Sequence, residues 1–211
     1  MYDDGVIKFA CDWEESPPIA CDAVPELRDL IEWRDRLFAW GAIGVYPNGI
    51  GYGNVSIRLG GDRFLISGTQ TGHLPTTNSQ HYTQVDRWNI EQNSLHCTGP
   101  VQASSESLTH AAIYQHDRAI RAIVHGHCPS LWQRYQNQLP TTRAEVPYGT
   151  PAMAREMWRL FRETDLAQSR ILVMAGHEDG LLSFGGNLAD AAQPLANLLR
   201  AEGRSITIES A

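Results

Sequence analysis

The sequence predicts one α/β domain, and three observations carry that expectation. Short apolar strand patterns alternate along the chain with longer amphipathic helix patterns. The length, 211 residues, suits one sizeable core. No internal repeat or low-complexity tract interrupts it. Charged residues make up 19% and the hydrophobic set 42%, the balance of a globular chain rather than a disordered one.

Residues 1–24 read as an irregular leader, acidic, with Trp13 and the Pro17-Pro18 pair; the domain is expected over 25–211. From Pro25, Leu27, Leu30, Ile31, Leu37 and Phe38 fall near helical spacing, and Gly41 and Gly44 end that helix. Residues 45–53, with Pro47, Asn48, Gly49, Gly51 and Gly53, are expected to be loop. Val55, Ile57 and Leu59 alternate, Phe64 to Ile66 follow, and Gly60-Gly61-Asp62 between them predicts a hairpin. Residues 68–83 read as a long loop with a short helix. Tyr82 to Asn89 and Ser94 to Thr98 are weaker strand patterns.

Ser104 or Ser105 is a candidate N-cap for a helix from Glu106 to Gln115. An apolar run, Arg121 to His127, predicts a strand, and residues 129–137 a helix opened by Pro129. Pro151 suits the first turn of a helix through Glu163. Arg170 to Ala175 and Leu181 to Phe184 are further strands. Asn187 caps a last helix to about Arg200 that contains Pro194, and Ser205 to Glu209 reads as an edge strand.

Bulk charge narrows the function classes. A net charge of -7 argues against general nucleic-acid binding, which relies on excess Lys and Arg. No apolar run is long enough to cross a bilayer, and Met1-Tyr2-Asp3-Asp4 lacks a signal peptide's basic-then-apolar order. A cytoplasmic protein is the expectation. The four cysteines, Cys11, Cys21, Cys97 and Cys128, form no C-x-x-C pair and suit a reducing compartment. Cys128 follows His127 directly but would face the other way on a strand, as a buried or semi-buried thiol.

The chemistry concentrates at the end of the strand 121–127. On a strand His125 and His127 project from the same face, so two imidazoles can converge on one metal, and Gly126 leaves the opposite face uncrowded. Such a site needs a third protein ligand. His177, in the turn Gly176-His177-Glu178-Asp179-Gly180 past an apolar strand, is the best candidate; an ordinary surface-turn histidine is the alternative. Three neutral imidazoles would suit zinc and leave an open position. Glu106 is the candidate acid/base, although spacing alone favours a helix-start acid placed for the macrodipole. His110, one turn later, reads as a structural or supporting group. Gly53-Asn54, Ser67-Gly68-Thr69 and Ser104-Ser105 fall at element boundaries and could offer amides and hydroxyls to an anion.

In combination these pieces resemble the class II aldolase/adducin family. Gly-Asn-Val-Ser at 53–56, Ile-Ser-Gly-Thr at 66–69, Ser-Ser-Glu at 104–106, His-Gly-His at 125–127 and the lone His177 stand in the family's order, over about Leu27 to Leu199. The resemblance implies a three-layer α/β/α fold with a central, largely antiparallel mixed sheet. It implies that His125, His127 and His177 are zinc ligands, one zinc per chain, and that Glu106 is the acid/base. Asn54, Ser67, Gly68, Ser104 and Ser105 would hold a substrate phosphate. It further implies a homotetramer with sites at subunit interfaces. Two departures stand out: His177 is followed by Glu178-Asp179-Gly180 where many members have Asn-His-Gly around the third histidine, and the loop 44–52 is longer than usual. Neither Tyr135 nor Tyr148 matches the tyrosine that the family's sugar-phosphate aldolases take from a neighbouring subunit.

The resulting expectation is a zinc-dependent lyase that cleaves a C–C bond of a small, phosphorylated hydroxy-carbonyl compound, a ketose phosphate, with an enediolate stabilised by zinc. Dehydration of a ketose phosphate is the alternative within the family. An adducin-like interaction module without catalysis, and a zinc hydrolase on an unrelated fold, are the rivals from other classes. Retention of all three histidines and Glu106 favours an enzyme.

Overall fold

Period-two alternation along the strands sorts the apolar side chains onto two faces, and helices cover both. The structure is a computed structural model that describes residues 6–208. Its strands are β1 (Ala10–Glu15), β2 (Gly44–Val45), β3 (Gly51–Tyr52), β4 (Asn54–Arg58), β5 (Phe64–Ser67), β6 (Tyr82–Asn89), β7 (Ser94–Gly99), β8 (Ala122–His127), β9 (Ile171–Val173) and β10 (Gly180–Gly185). Its helices are α1 (Glu26–Ala39), α2 (Ser107–His116), α3 (Pro129–Tyr135), α4 (Pro151–Glu163), α5 (Leu166–Ser169) and α6 (Leu188–Ala201). Eight strands form the main sheet in the order β1-β7-β6-β5-β4-β8-β10-β9, while β2 and β3 form a separate small hairpin. Of these strand pairs only β1–β7 is parallel. The expected three-layer arrangement with a largely antiparallel mixed sheet is therefore what the chain adopts.

On one face, Leu108, Ala111 and Ala112 of α2 with Met153, Met157 and Leu160 of α4 bury Phe64, Val85, Ile123, Leu172 and Leu182. On the other, Leu27, Leu30 and Leu37 of α1 with Leu188, Leu195 and Leu199 of α6 bury Val55, Ile57, Val124 and Leu181. Along β8 the alternation continues past the apolar residues. Ile123 faces α2 and α4, so His125 and His127 do too, two and four residues on; Val124 faces α6, and so does Gly126. The expectation that Gly126 leaves its face uncrowded is corrected. A Cβ there would lie 3.1 Å from both Ala42 Cβ and Leu195 Cδ2, so a side chain at this position would press on the packing of α6 against the strand.

Several other expectations are corrected. Residues 10–15, inside the supposed irregular leader, form the parallel edge strand β1; Cys11 and Trp13 turn toward the sheet, and the Trp13 indole donates to the Gly99 carbonyl at 2.8 Å. Asp12 between them and Glu14-Glu15 after them hide this alternation in the sequence. The expected loop 45–53 instead belongs, with Gly44, to the β2–β3 hairpin, the Tyr46 amide donating to the Ile50 carbonyl at 2.9 Å across the turn. Residues 205–208 form no strand, and Glu209 lies outside the described residues. The short helix α5 is not foreseen at all. Asn187 does cap α6, accepting from the Asp190 amide at 2.8 Å, and Pro194 sits inside that helix without delaying its start.

Candidate metal centre

The β8 strand carries His125 and His127 to the sheet edge on the face where α2 begins. β10 runs antiparallel beside it, with Gly180 opposite His127. A side chain at Gly180 would press on the His125 ring (3.2 Å) and the His177 ring (3.4 Å), so glycine is what admits two imidazoles here. His177 arrives from the turn between β9 and β10, which is closed by two bonds: the His177 amide donates to the Met174 carbonyl and the Gly180 amide to the His177 carbonyl, both at 3.0 Å. The three rings stand 4.7–5.0 Å apart, centre to centre, and all three are buried. One nitrogen from each lies within 4.8 Å of the others.

The electrostatics suit a cation. Burial pushes the His125 and His127 pKa values far below the ordinary imidazole range, and the neighbouring His177 pushes the same way. Both are therefore neutral at physiological pH. His125 Nδ1 donates to the Leu181 carbonyl at 3.1 Å, which leaves Nε2 with a bare lone pair. That nitrogen faces His127 Nε2 at 3.1 Å, close to the roughly 3.3 Å that two nitrogens adopt on one tetrahedral zinc. Neutral, buried, convergent imidazoles are a donor set that fits a divalent transition metal.

Glu106 occupies the cap position of α2, yet its side chain makes no capping bond. It is 1% exposed, and Oε1 lies 3.4 Å from His177 Nδ1. The reading as an ordinary helix-start acid loses its basis, since the carboxylate is turned away from the helix amides and into the histidine cluster. Ser104 supplies the local capping instead: its Oγ accepts from the Glu106 amide at 3.4 Å, and its carbonyl accepts from Ser107 Oγ at 2.7 Å. His110 is the supporting group expected, buried and bonded through Nδ1 to Ser56 Oγ at 2.7 Å, with burial pushing its pKa down to about 3.

A cavity of about 30 Å³ lies over the histidines, walled by Asn54, Gly68, Ser104, Ser105, Glu106 and the residues 69–72. Ser67 is not brought to that wall; its Oγ accepts from the Val55 amide at 3.2 Å and ties β5 to β4. Asn54 Oδ1 is buried and has no hydrogen-bond partner among the described residues. No Lys or Arg lines this cavity among the described residues. Gly68 is required by Val101, whose Cγ1 lies 2.3 Å from where a Cβ would be. Cys128 is buried but stands apart, its Sγ accepting from Arg204 at 3.2 Å. A larger groove of about 350 Å³ between α1, β4 and α6 includes none of the site candidates.

Three aromatic residues at the site are given no role there by sequence reasoning. Tyr52 stacks on the His127 ring (5.2 Å, 26°), Tyr46 places its hydroxyl 2.7 Å from His127 Nδ1, and Tyr148 stacks on His177 (4.4 Å, 24°). For Tyr46 and Tyr52 the available signal is position: both flank a Pro-Asn-Gly turn that runs directly into Gly53-Asn54.

Comparison with known proteins adds a family. Residues 48–201 match the model of the class II aldolase and adducin N-terminal domain. No curated protein matches the chain significantly in sequence. Among solved structures, YgbL from Klebsiella pneumoniae superposes with a TM-score of 0.60 at 20% identity, covering 82% of this chain and 84% of that one. A sugar-phosphate aldolase from Thermotoga maritima gives 0.64 at 17% identity, over 85% and 92%. The L-fuculose-1-phosphate aldolase of Thermus thermophilus gives 0.54 at 21%, over 86% and 97%. At these identities the likeness is one of fold.

Proposed function

The chain belongs to the class II aldolase and adducin N-terminal domain family, and from that premise we propose that it is a zinc-dependent lyase. Its reaction is aldol-type cleavage of a C–C bond in a small, phosphorylated hydroxy-carbonyl compound. The observation that carries this reading is the buried cluster of His125, His127 and His177 with the Glu106 carboxylate turned into it. Fold neighbours named for sugar-phosphate aldolase activity support the substrate class.

His125, His127 and His177 would hold the metal. A bound divalent ion would supply Lewis-acid stabilisation of oxyanion charge as the bond breaks. Glu106 handles the proton at carbon: its acid form gives one to the carbon left electron-rich by cleavage, and its carboxylate recovers it in the synthetic direction. The proton lost from the hydroxyl that becomes the aldehyde carbonyl passes to solvent. Asn54, which lines the cavity and has a buried amide oxygen with no hydrogen-bond partner among the described residues, orients a hydroxyl of the substrate. The Gly68 backbone, Ser104 and Ser105 offer donors to the phosphate, and Ser67 acts from behind by holding β5 in place.

The cavity of about 30 Å³ is small. A neighbouring subunit of a homotetramer would complete and cover it. Nothing in the fold requires a membrane: no helix among the described residues is long and apolar enough to cross one. A cytoplasmic location follows as part of the same proposal.

The test is metal content by elemental analysis, followed by a screen of ketose phosphates with product analysis. One zinc per chain and an aldehyde plus a ketone fragment are expected. Loss of water without C–C cleavage would replace the aldolase reading with a dehydratase. Turnover of no phosphorylated hydroxy-carbonyl compound by metal-loaded protein would leave the non-catalytic reading.

A further inference from the structure

The two metal-facing histidines of β8 have different outer partners. His125 is set by a main-chain carbonyl. His127 is set by side chains from two distant segments: Tyr46 Oη is 2.7 Å from His127 Nδ1 and 3.2 Å from Asp179 Oδ2. The hydroxyl holds one proton. It is donated to Asp179 Oδ2, the acceptor of the pair. Its remaining lone pairs then face His127 Nδ1, which must carry the ring proton to complete the 2.7 Å bond. The proton on Nδ1 leaves Nε2 bare and aimed at the same point as His125 Nε2.

We infer that Tyr46 and Asp179 form a positioning pair that locks His127 in its metal-binding tautomer and orientation. The inference rests on the proposal that the three histidines hold a divalent metal. It assigns a shared purpose to two segments far apart in the chain, the loop 44–52 and the Glu178-Asp179-Gly180 sequence after His177.

Local structure is built to hold the pair. Asp179 sits in the left-handed region (φ 64°), a conformation that Asp tolerates better than most side chains, and its carbonyl accepts from the Cys128 amide at 2.9 Å. The residue after His127 and the carboxylate serving His127 are thereby tied directly. Asp179 is only 8% exposed, so its bond to Tyr46 is shielded from competing water. On the other side, Tyr46 leans on Tyr52 (4.6 Å), and Tyr52 stacks on the His127 ring. The β2–β3 hairpin thus clamps the imidazole by its face and by its Nδ1 edge together. A carboxylate bonded directly to a ligating histidine is the common outer partner of metal sites. Here a tyrosine hydroxyl is interposed, and the carboxylate acts by fixing the direction of that hydroxyl.

The experiment measures zinc affinity by chelator competition and the visible spectrum of the cobalt-substituted protein for wild type, Tyr46→Phe, Asp179→Asn and the double variant, with His125→Ala as control. Tyr46→Phe keeps the ring contacts and removes only the hydroxyl; we expect zinc affinity to fall about ten- to a hundredfold, with a shifted cobalt spectrum. Asp179→Asn keeps the backbone conformation and should lose less. The double variant should be no weaker than Tyr46→Phe alone, because both changes break one chain of bonds. Wild-type affinity and spectrum in Tyr46→Phe, or additive losses in the double variant, would overturn the pair. So would a loss of affinity that merely tracks a lowered urea midpoint of the chelator-treated protein. Failure of the underlying metal reading looks different: His125→Ala then binds zinc as well as wild type.

Discussion

His125 and His127 stand on one strand, face one way and lie one pleat apart, yet their support is of two kinds. The proton of His125 is held by the backbone carbonyl of Leu181, which no substitution at that position removes. That of His127 is held by Tyr46 and, through it, Asp179, both side chains open to change. The first mode comes with the β8–β10 ladder and is as firm as the sheet. The second is an addition by the hairpin and the turn, and it can be tuned without disturbing the core. A metal site assembled this way has one fixed ligand and one adjustable ligand on the same strand.

The contrast can be broken most severely by deleting a ligand. His125→Ala and, separately, His127→Ala should each abolish zinc binding in elemental analysis, since two imidazoles are too few for such a site; full zinc retention in either would remove that residue from the ligand set. Next in size, Glu106→Gln should retain zinc while turnover falls about 10²- to 10⁴-fold, the range of general acid–base catalysis. Unchanged turnover would take Glu106 out of the mechanism.

A sharper test separates backbone support from side-chain support. Leu181 is buried in the α6-facing core, so Leu181→Ala should cost about 2–5 kcal/mol in urea unfolding. Because the carbonyl remains, zinc affinity should stay within a few-fold of wild type. A large affinity loss would mean that His125 depends on more than the ladder. Smaller again, Gly126→Ala pushes a methyl toward Ala42 and Leu195 and should cost about 1–3 kcal/mol. The measurement is the same urea midpoint, and the affinity should again hold.

A separate effect is on pH dependence, and it comes from His110, behind the site. Its pKa is lowered by burial from 6.5 to about 3. Between those values the unfolded chain binds a proton that the native state refuses, so stability falls as pH drops through that window. His110→Asn should make the fall of the urea midpoint between pH 7 and pH 4 shallower, by up to one proton's worth of slope. An identical slope would assign the acid sensitivity to other groups.

Much of the fold was legible because its signals are local. The alternation through β4, β5 and β8, the helical spacing of α1, Pro151 at the start of α4 and the Asn187 cap each act within a few residues. β1 escaped because its inward residues, Cys11 and Trp13, sit among the acids Asp12, Glu14 and Glu15 and its partner lies 84 residues away, Ala10 opposite Ser94. The histidine pair was legible for the same local reason that the strands were. Tyr46 was not: nothing in a Tyr-Pro-Asn-Gly turn indicates that its hydroxyl will meet a carboxylate 133 residues further along. Ser67 differs in another way: a boundary serine of the expected type, its Oγ accepts from the Val55 amide of the neighbouring strand and it does not line the cavity.

By itself, the sequence determined the residue types able to bind a metal, their alternation on β8 and a single α/β domain, because side-chain chemistry and pleat periodicity are local properties; the three-layer arrangement came from the family resemblance. Only the tertiary structure decided that His177 and Glu106 converge on that pair, that Gly180 leaves room for two rings, and that Tyr46 and Asp179 stand behind His127. Those relations depend on strand register and on how a turn and a hairpin pack, which are set by contacts between residues far apart in the chain.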